Sequence, residues 1–469
     1  MTFAAPPAPT APEWNWKLSL VLSGILFALW CHYVFGSPTL LENAGANFVG
    51  RDFYNKHTGG AAAWSGNAGW LYDMEAYTAH GRARGLVAHY SFSYPPHALF
   101  AFAPFGLLPY KVGLAAWSFG SLGAFALVLR GLRDSVRPDI LLFALICPAA
   151  LISLFWGQTG LWAVALLGGG LLLCPTRPLL AGVLFGILTV KPQLGLVLAP
   201  MLLVTGQWRV IASASVTALT LLVASVLVFG VEPWTAYATD TAAYQMSLAQ
   251  GRIGLFDYMV LTPYRMVTLI GGSPEIAQVV QLAIGLPLLG VALWVGRWTD
   301  WLSACGLVLL VTCVLSPYFA IYDLTLAALA MALMWSRVGG VSKTLLAGSA
   351  LAPMSMGLAG FGLHPAWTGV FTLTLVLCAV SVLRDLYLEQ ANHRHVVAWL
   401  RPVADVFVDA KAFEAVDGLR AAQEVVDPNA LVAGPGAALV VPEGVLAGRA
   451  AGLVEGAVEA LGFEGAEGG

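Results

Sequence analysis

Charge is scarce in this sequence: Asp, Glu, Lys and Arg make up 10% of 469 residues, whereas 58% are hydrophobic. A soluble globular domain carries about 25% charged residues, so water cannot be the solvent around most of this chain. Metal-binding patterns are missing as well. The six cysteines, at positions 31, 147, 174, 305, 313 and 378, lie in or beside apolar runs and form no CxxC pair. They read as buried thiols, and no metal site is expected. A basic stripe interleaved with aromatics is absent, which argues against nucleic acid as a partner. The apolar runs are continuous rather than alternating, which argues against a transmembrane β-barrel.

Apolar runs are what the chain does have. They lie near 17–36, 97–130, 138–155, 160–174, 178–205, 209–230, 276–296, 301–315, 319–336, 342–360 and 366–383. A run of about 20 residues spans the bilayer core, and it must be helical to satisfy its own backbone there. Two runs invite splitting, one at "PYK" (109–111) and one at "KPQ" (191–193). The expected fold is an all-α polytopic membrane protein with about eleven to thirteen transmembrane helices. Residues 1–16 are Pro/Ala-rich with little positive charge, so the run that follows reads as a retained first helix rather than a cleaved signal.

Three parts are expected: a short N-terminal segment (1–16), a membrane domain (17–384) and a tail (385–469). The tail holds thirteen acids against five bases and ends in Gly/Ala/Glu low complexity. It reads as a largely disordered cytoplasmic extension carrying one short amphipathic helix. The body is correspondingly basic, which suits anionic lipid.

Two polar stretches, about 37–95 and 231–265, mix aromatics with charges as headgroup-level segments do. Loops of this length are usually functional, and these two are expected to face one side and cap a cavity. Arg177, Arg209, Arg297, Arg337 and Arg384 sit in short connections, which the positive-inside tendency places in the cytoplasm and so the long loops outside. "RGLRDSVRP" (130–138) belongs with them only if 97–130 crosses an odd number of times.

The first polar stretch contains "RDFYNKHTGGAAAWSGNAGWLYD". Asp52 is either a solvated acid paired with Arg51 or Lys56, or a proton acceptor, since carboxylates are ordinarily ionised at neutral pH. Lys191 interrupts an apolar run, where a cation costs about 2.5–3.5 kcal/mol on insertion scales. It is either a loop lysine between short helices or a contact to a phosphate or to a carboxylate lining a cavity. Gln158, in "WGQ", is an interfacial cap or a hydrogen-bonding partner for sugar hydroxyls. "SPYFAIYD" places Tyr318 and Tyr322 four residues apart, on one face if helical, beside Asp323; they are interfacial tyrosines or the lining of a groove. Arg252, Arg265 and His364 are outer-side candidates for a phosphate, Arg265 the best placed.

The order RDFYNKHTGGAAAWSGNAGWLYD, YPPHALFAFAPFGLLP, LFWGQTGLW, AGVLFGILTVKPQLGLVLAPMLL and SPYFAIYDLTL resembles the polytopic GT-C glycosyltransferases of family GT87, the DUF2029 proteins, over roughly residues 15–385. The resemblance implies a GT-C-like bundle with a long first external loop in a bacterial inner membrane. It implies a site facing the periplasm and an inverting transfer from a polyprenyl-phosphate sugar. The family's catalytic aspartate in the first external loop corresponds to Asp52. Tyr54, Tyr94, His97, Gln158, Lys191, Gln193, Arg265, Tyr318, Tyr322, Asp323 and His364 are the candidates for substrate contacts. The expected partners are membrane lipids, the lipid-linked sugar donor and a lipid or glycan acceptor. No cofactor is expected, and oligomeric state is left open.

A single acid suits this chemistry. Glycosidases need two carboxyls because an alkoxide must be protonated as it leaves. A lipid phosphate leaves as a stable anion, so one base and a cradle for the phosphate suffice. The alternative is a transporter or lipid flippase. Transporters often show paired half-repeats with broken helices near the midplane. This chain shows no such repeat, and its charges gather in two loops.

Overall fold

The computed structural model describes residues 49–84, 91–241, 244, 254–316 and 318–407. The expected first helix (17–36), Cys31, Arg252 and the tail beyond 407 lie outside them. The described chain is helical, and its one β-bridge joins Val260 to Ala320. Five helices are long and apolar enough to cross a membrane: Tyr110–Arg130, Pro138–Trp156, Trp208–Phe229, Pro274–Gly296 and Pro365–Ala391. Five shorter apolar helices accompany them, namely Gly160–Leu173, Pro178–Val190, Pro192–Val204, Trp301–Leu315 and Ile321–Met334. The chain is an all-α polytopic membrane protein.

Burial sorts these helices. Every residue from Ser303 to Leu315 and from Thr325 to Met334 is buried, so this packed pair forms the centre of the bundle. A helix apolar on all sides belongs in a core or in lipid. Trp208–Phe229 takes the second option, burying only Val210 and Ser225 while Val216, Leu219, Leu227 and Val228 stand exposed. Cys147, Cys174, Cys305, Cys313 and Cys378 are free, buried thiols, as expected.

The run 97–130 resolves into two helices, Ala98–Gly106 and Tyr110–Arg130. The first has 9 residues, a rise of about 14 Å, too short to cross. The run therefore supplies one span. Tyr110 at its start donates to the Gly50 carbonyl at 2.8 Å, so Arg130 to Arg137 lie at the far end from Gly50. The last helix is not interrupted at Arg384 but runs Gly369–Phe407. The chain divides into two units, Met1–His393 and Arg394–Gly469; the described residues of the second, 394–407, are helical.

The described residues of the first polar stretch include the helix Phe53–Trp64, a 3₁₀ turn at Gly69–Tyr72, and the helix Met74–Arg82. Phe53–Trp64 lies flat against Ala98–Gly106. A β-carbon on Gly60 would stand 2.2 Å from the Phe102 carbonyl oxygen, and one on Gly106 would stand 2.1 Å from the Ala61 nitrogen. Backbone meets backbone here, and there is no side chain to yield. Gly106→Ala should therefore lower the melting temperature of the purified protein by several degrees, since overpacking costs about 1–3 kcal/mol. Gly290→Ala, at a position facing open space, should leave it unchanged or raise it slightly. Equal melting of the two variants would mean that the helices are free to separate.

Candidate active site

Asp52 occupies the N-cap of Phe53–Trp64, after a turn in which the Phe53 N–H donates to the Gly50 carbonyl at 2.7 Å. Aspartate favours this position because its carboxylate accepts from the helix's free N–H groups. Here it makes no such bond. Its Oδ2 is buried and accepts no hydrogen bond among the described residues; the nearest cation is the Arg51 Nε, at 3.9 Å. Leaving a buried acceptor unmet costs about 1–3 kcal/mol. The carboxylate is thus held in place by backbone, the Asp52 N–H donating to the Trp156 carbonyl at 3.1 Å, and is not consumed by the helix.

One turn on, the Lys56 Nζ donates to the Asp52 carbonyl at 2.8 Å and lies 5.3 Å from the centre of the Tyr94 ring. Lys56 is 1% exposed. Burial, before all else, pulls its pKa down to about 7; Asp52 and Asp323 oppose the shift and Lys191 adds to it. Tyr94 is fixed from behind, where Tyr72 donates to its carbonyl at 3.0 Å. Burial pushes the Tyr94 phenol upward, with Asp52 and Asp323 adding to the effect.

The turn "WGQTG" joins this corner to a second one. Gly157 adopts a left-handed φ of 65°, which glycine alone takes without strain, and a β-carbon on it would stand 2.5 Å from that of Phe53. Three residues later, a β-carbon on Gly160 would stand 2.0 Å from the Tyr322 carbonyl oxygen. The turn therefore touches the Asp52 helix on one side and Tyr322–Asp323 on the other. That second segment is anchored by two backbone bonds, Leu261 N–H to the Phe319 carbonyl at 3.2 Å and Ile321 N–H to the Met259 carbonyl at 2.8 Å.

Asp323, 1% exposed, accepts from the Lys191 Nζ at 2.5 Å. Lys191 sits between two 3₁₀ turns, Leu188–Val190 and Pro192–Gly195, with its Nζ 4.8 Å from the centre of the Tyr322 ring. The chain breaks at Lys191, and the side chain turns inward to a buried carboxylate. Tyr318 and Tyr322 do not share a helix face, because Ala320 between them is extended and the 3₁₀ turn starts at Ile321. They come together through the loop instead. Burial raises the Tyr318 phenol first, and Asp323 and Asp52 act on it in the same direction.

Asp52, Lys56, Tyr94, Lys191, Tyr318, Tyr322 and Asp323 thus form one electrostatically coupled cluster. The other candidates have separate occupations. Tyr54 bonds His80 Nδ1 at 2.7 Å. Arg265, 1% exposed, is ion-paired with buried Asp257. His364 is at the surface, where its Nδ1 accepts from the Ala366 N–H at 3.2 Å. The Gln158 Oε1 accepts from the Thr159 N–H at 3.3 Å, a local cap. Gln193 is half-buried in the turn after Pro192. His97 stacks on Trp234 with ring centres 5.6 Å apart, and its Nε2 meets Thr189 Oγ1 at 3.2 Å. Burial lowers its pKa to about 4. The ring contact of Tyr72 with Tyr237 brings the two polar stretches together. Lys56 entered the sequence reading only as a possible ion partner of Asp52, and its place in the cluster had its signal in the spacing of four from Asp52 within a run of small and aromatic residues.

An apolar cavity of about 290 Å³ opens beside Lys191 and Thr159, lined by Phe102, Trp117, Trp162 and Leu188 among others. Small-ligand pockets begin near about 300 Å³.

A buried charged cluster beside an apolar cavity is thus set in the helical bundle of a polytopic membrane protein. The profile of glycosyltransferase family 87 matches residues 92–317. The match spans just under half of the chain and supports its assignment to that family of glycosyltransferases. The matched region includes Tyr94 and Lys191; Asp52, Lys56 and Asp323 flank it. No curated protein and no solved structure is significantly similar to the chain.

Proposed function

We infer that this glycosyltransferase moves a hexose, mannose by family likeness, from a polyprenyl-phosphate carrier to a hydroxyl of a lipid or glycan acceptor. The reaction inverts the anomeric centre and takes place at the outer face of a bacterial cell membrane. The observation that carries the reading is the buried Oδ2 of Asp52, which accepts no hydrogen bond among the described residues, within one charged cluster containing two lysines. Asp52 accepts the proton of the acceptor hydroxyl as that oxygen attacks the anomeric carbon. The bond from that carbon to the phosphate oxygen breaks, and the polyprenyl phosphate departs with the electron pair. No acid is needed on the leaving side. Lys191 lies where the phosphate meets the apolar cavity, and the cavity takes the first part of the isoprenoid chain. Tyr94, Tyr318 and Tyr322 supply ring faces and hydroxyls for the sugar.

The test is incubation of the purified protein with undecaprenyl-phosphate-linked mannose, glucose and galactose in membrane lipid, followed by mass spectrometry of the extract. Mannose consumption with a new hexosylated product is expected. Transfer from a nucleotide sugar alone, with none from any lipid-linked donor, would overturn the reading.

A further inference from the structure

Lys56 is placed against the usual electrostatic rules. It is a cation in the first turn of a helix, where the macrodipole is positive and favours anions instead. It is fully buried, and among the described residues its one hydrogen bond is to a neutral carbonyl. No carboxylate lies within ion-pair distance of its Nζ among those residues, whereas Lys191 has Asp323 at 2.5 Å. The groups that face Lys56 are Asp52 on its own helix, Tyr94 from the segment before Ala98–Gly106, Lys191 from the broken helix, and Asp323 beyond it. Much of the Lys191 charge is already answered by Asp323. A buried amine with so little compensation is expensive to keep charged, and an arriving anion would remove that expense.

Resting on the lipid-phosphate reading above, we propose that Lys56 is the second cation of the donor-phosphate site and that it takes up a proton from solvent when the phosphate binds. In the empty site, burial brings the pKa of the amine down to about 7. Below that pH it is charged before the donor arrives. Above it the amine is neutral, and binding must first recruit a proton. Donor affinity therefore falls as pH rises, and the enzyme senses pH through its substrate rather than through its base.

The experiment is calorimetric titration of the full-length protein in nanodiscs, without acceptor, using undecaprenyl phosphomannose and undecaprenyl phosphoglucose. Both are diesters whose phosphate charge is constant across the range used. Repeating each titration in buffers of different ionisation enthalpy counts protons. Uptake of about one proton per donor is expected at pH 8.5, falling towards zero at pH 6, with affinity weakening about 50-fold from pH 7 to 9. Lys56→Met should bind at least tenfold more weakly at pH 6.5 and take up no proton. Lys56→Arg should bind with little pH dependence. Binding to the wild type with no uptake at pH 8.5, or uptake that persists in Lys56→Met, overturns the role of Lys56 and leaves the lipid-phosphate reading standing. Failure of the wild type to bind either diester at any pH overturns both.

Discussion

Asp52→Asn is expected to abolish sugar transfer while leaving the protein folded, inserted and as heat-stable as the wild type, or more so. The amide is nearly isosteric but cannot take a proton, and general-base catalysis contributes roughly 10²–10⁴ in rate. Stability should not fall, because the substitution removes a buried negative oxygen that accepts no hydrogen bond among the described residues and serves no capping role. Activity and stability then move in opposite directions, the pattern expected where a site is kept at a cost to the fold. The measurements are the single-turnover rate with saturating donor and acceptor, and the melting temperature of the same preparations. A variant that loses activity and melts early would make Asp52 a structural residue. One that keeps more than a tenth of the wild-type rate would place the base elsewhere.

The second large effect is expected at the Lys191–Asp323 pair. Removing one partner of a buried pair leaves the other uncompensated, at a cost of about 3–5 kcal/mol. Lys191→Met and Asp323→Leu should each express poorly or melt well below the wild type. The double variant should recover most of that stability, because well-packed apolar residues often replace a buried pair without loss. Activity separates the two roles of the pair. If Lys191 holds the donor phosphate, the double variant stays inactive although folded. Recovery of both stability and transfer would make the pair structural only, and the phosphate would then need another cation.

Much of this was legible in one chain. Low charge and long apolar runs required helices in lipid, and the oddity of Lys191 within such a run left it as either a loop lysine or an inward-facing contact. The motif order singled out Asp52, Tyr94, Lys191, Tyr322 and Asp323, which the fold brings together. What was not legible depends on contacts between distant segments. Nothing in the spacing of 132 residues between Lys191 and Asp323 says that they pair, and nothing local says that Lys56 goes without a carboxylate partner. The helical spacing read into Tyr318 and Tyr322 failed because the segment is held extended by pairing with 259–261, a tertiary bond that overrides local periodicity. Arg265 and His364 looked suited to a phosphate by position alone; the fold gives one a buried aspartate and the other a local turn to cap. The split of 97–130 had its signal in "PYK", but only the flat packing of Ala98–Gly106 on Phe53–Trp64 shows why the first half stays short.

That packing decides how the enzyme can accommodate its substrates. Two peptide backbones meet at Gly60 and Gly106 with no room for a methyl group between them, so the short helix behind Asp52 has no cushion on which to slide or roll. The proton acceptor is in effect bolted to the bundle. Larger or smaller acceptors must bring their hydroxyl to a stationary carboxylate, and selectivity among them then becomes a matter of reach rather than of fit.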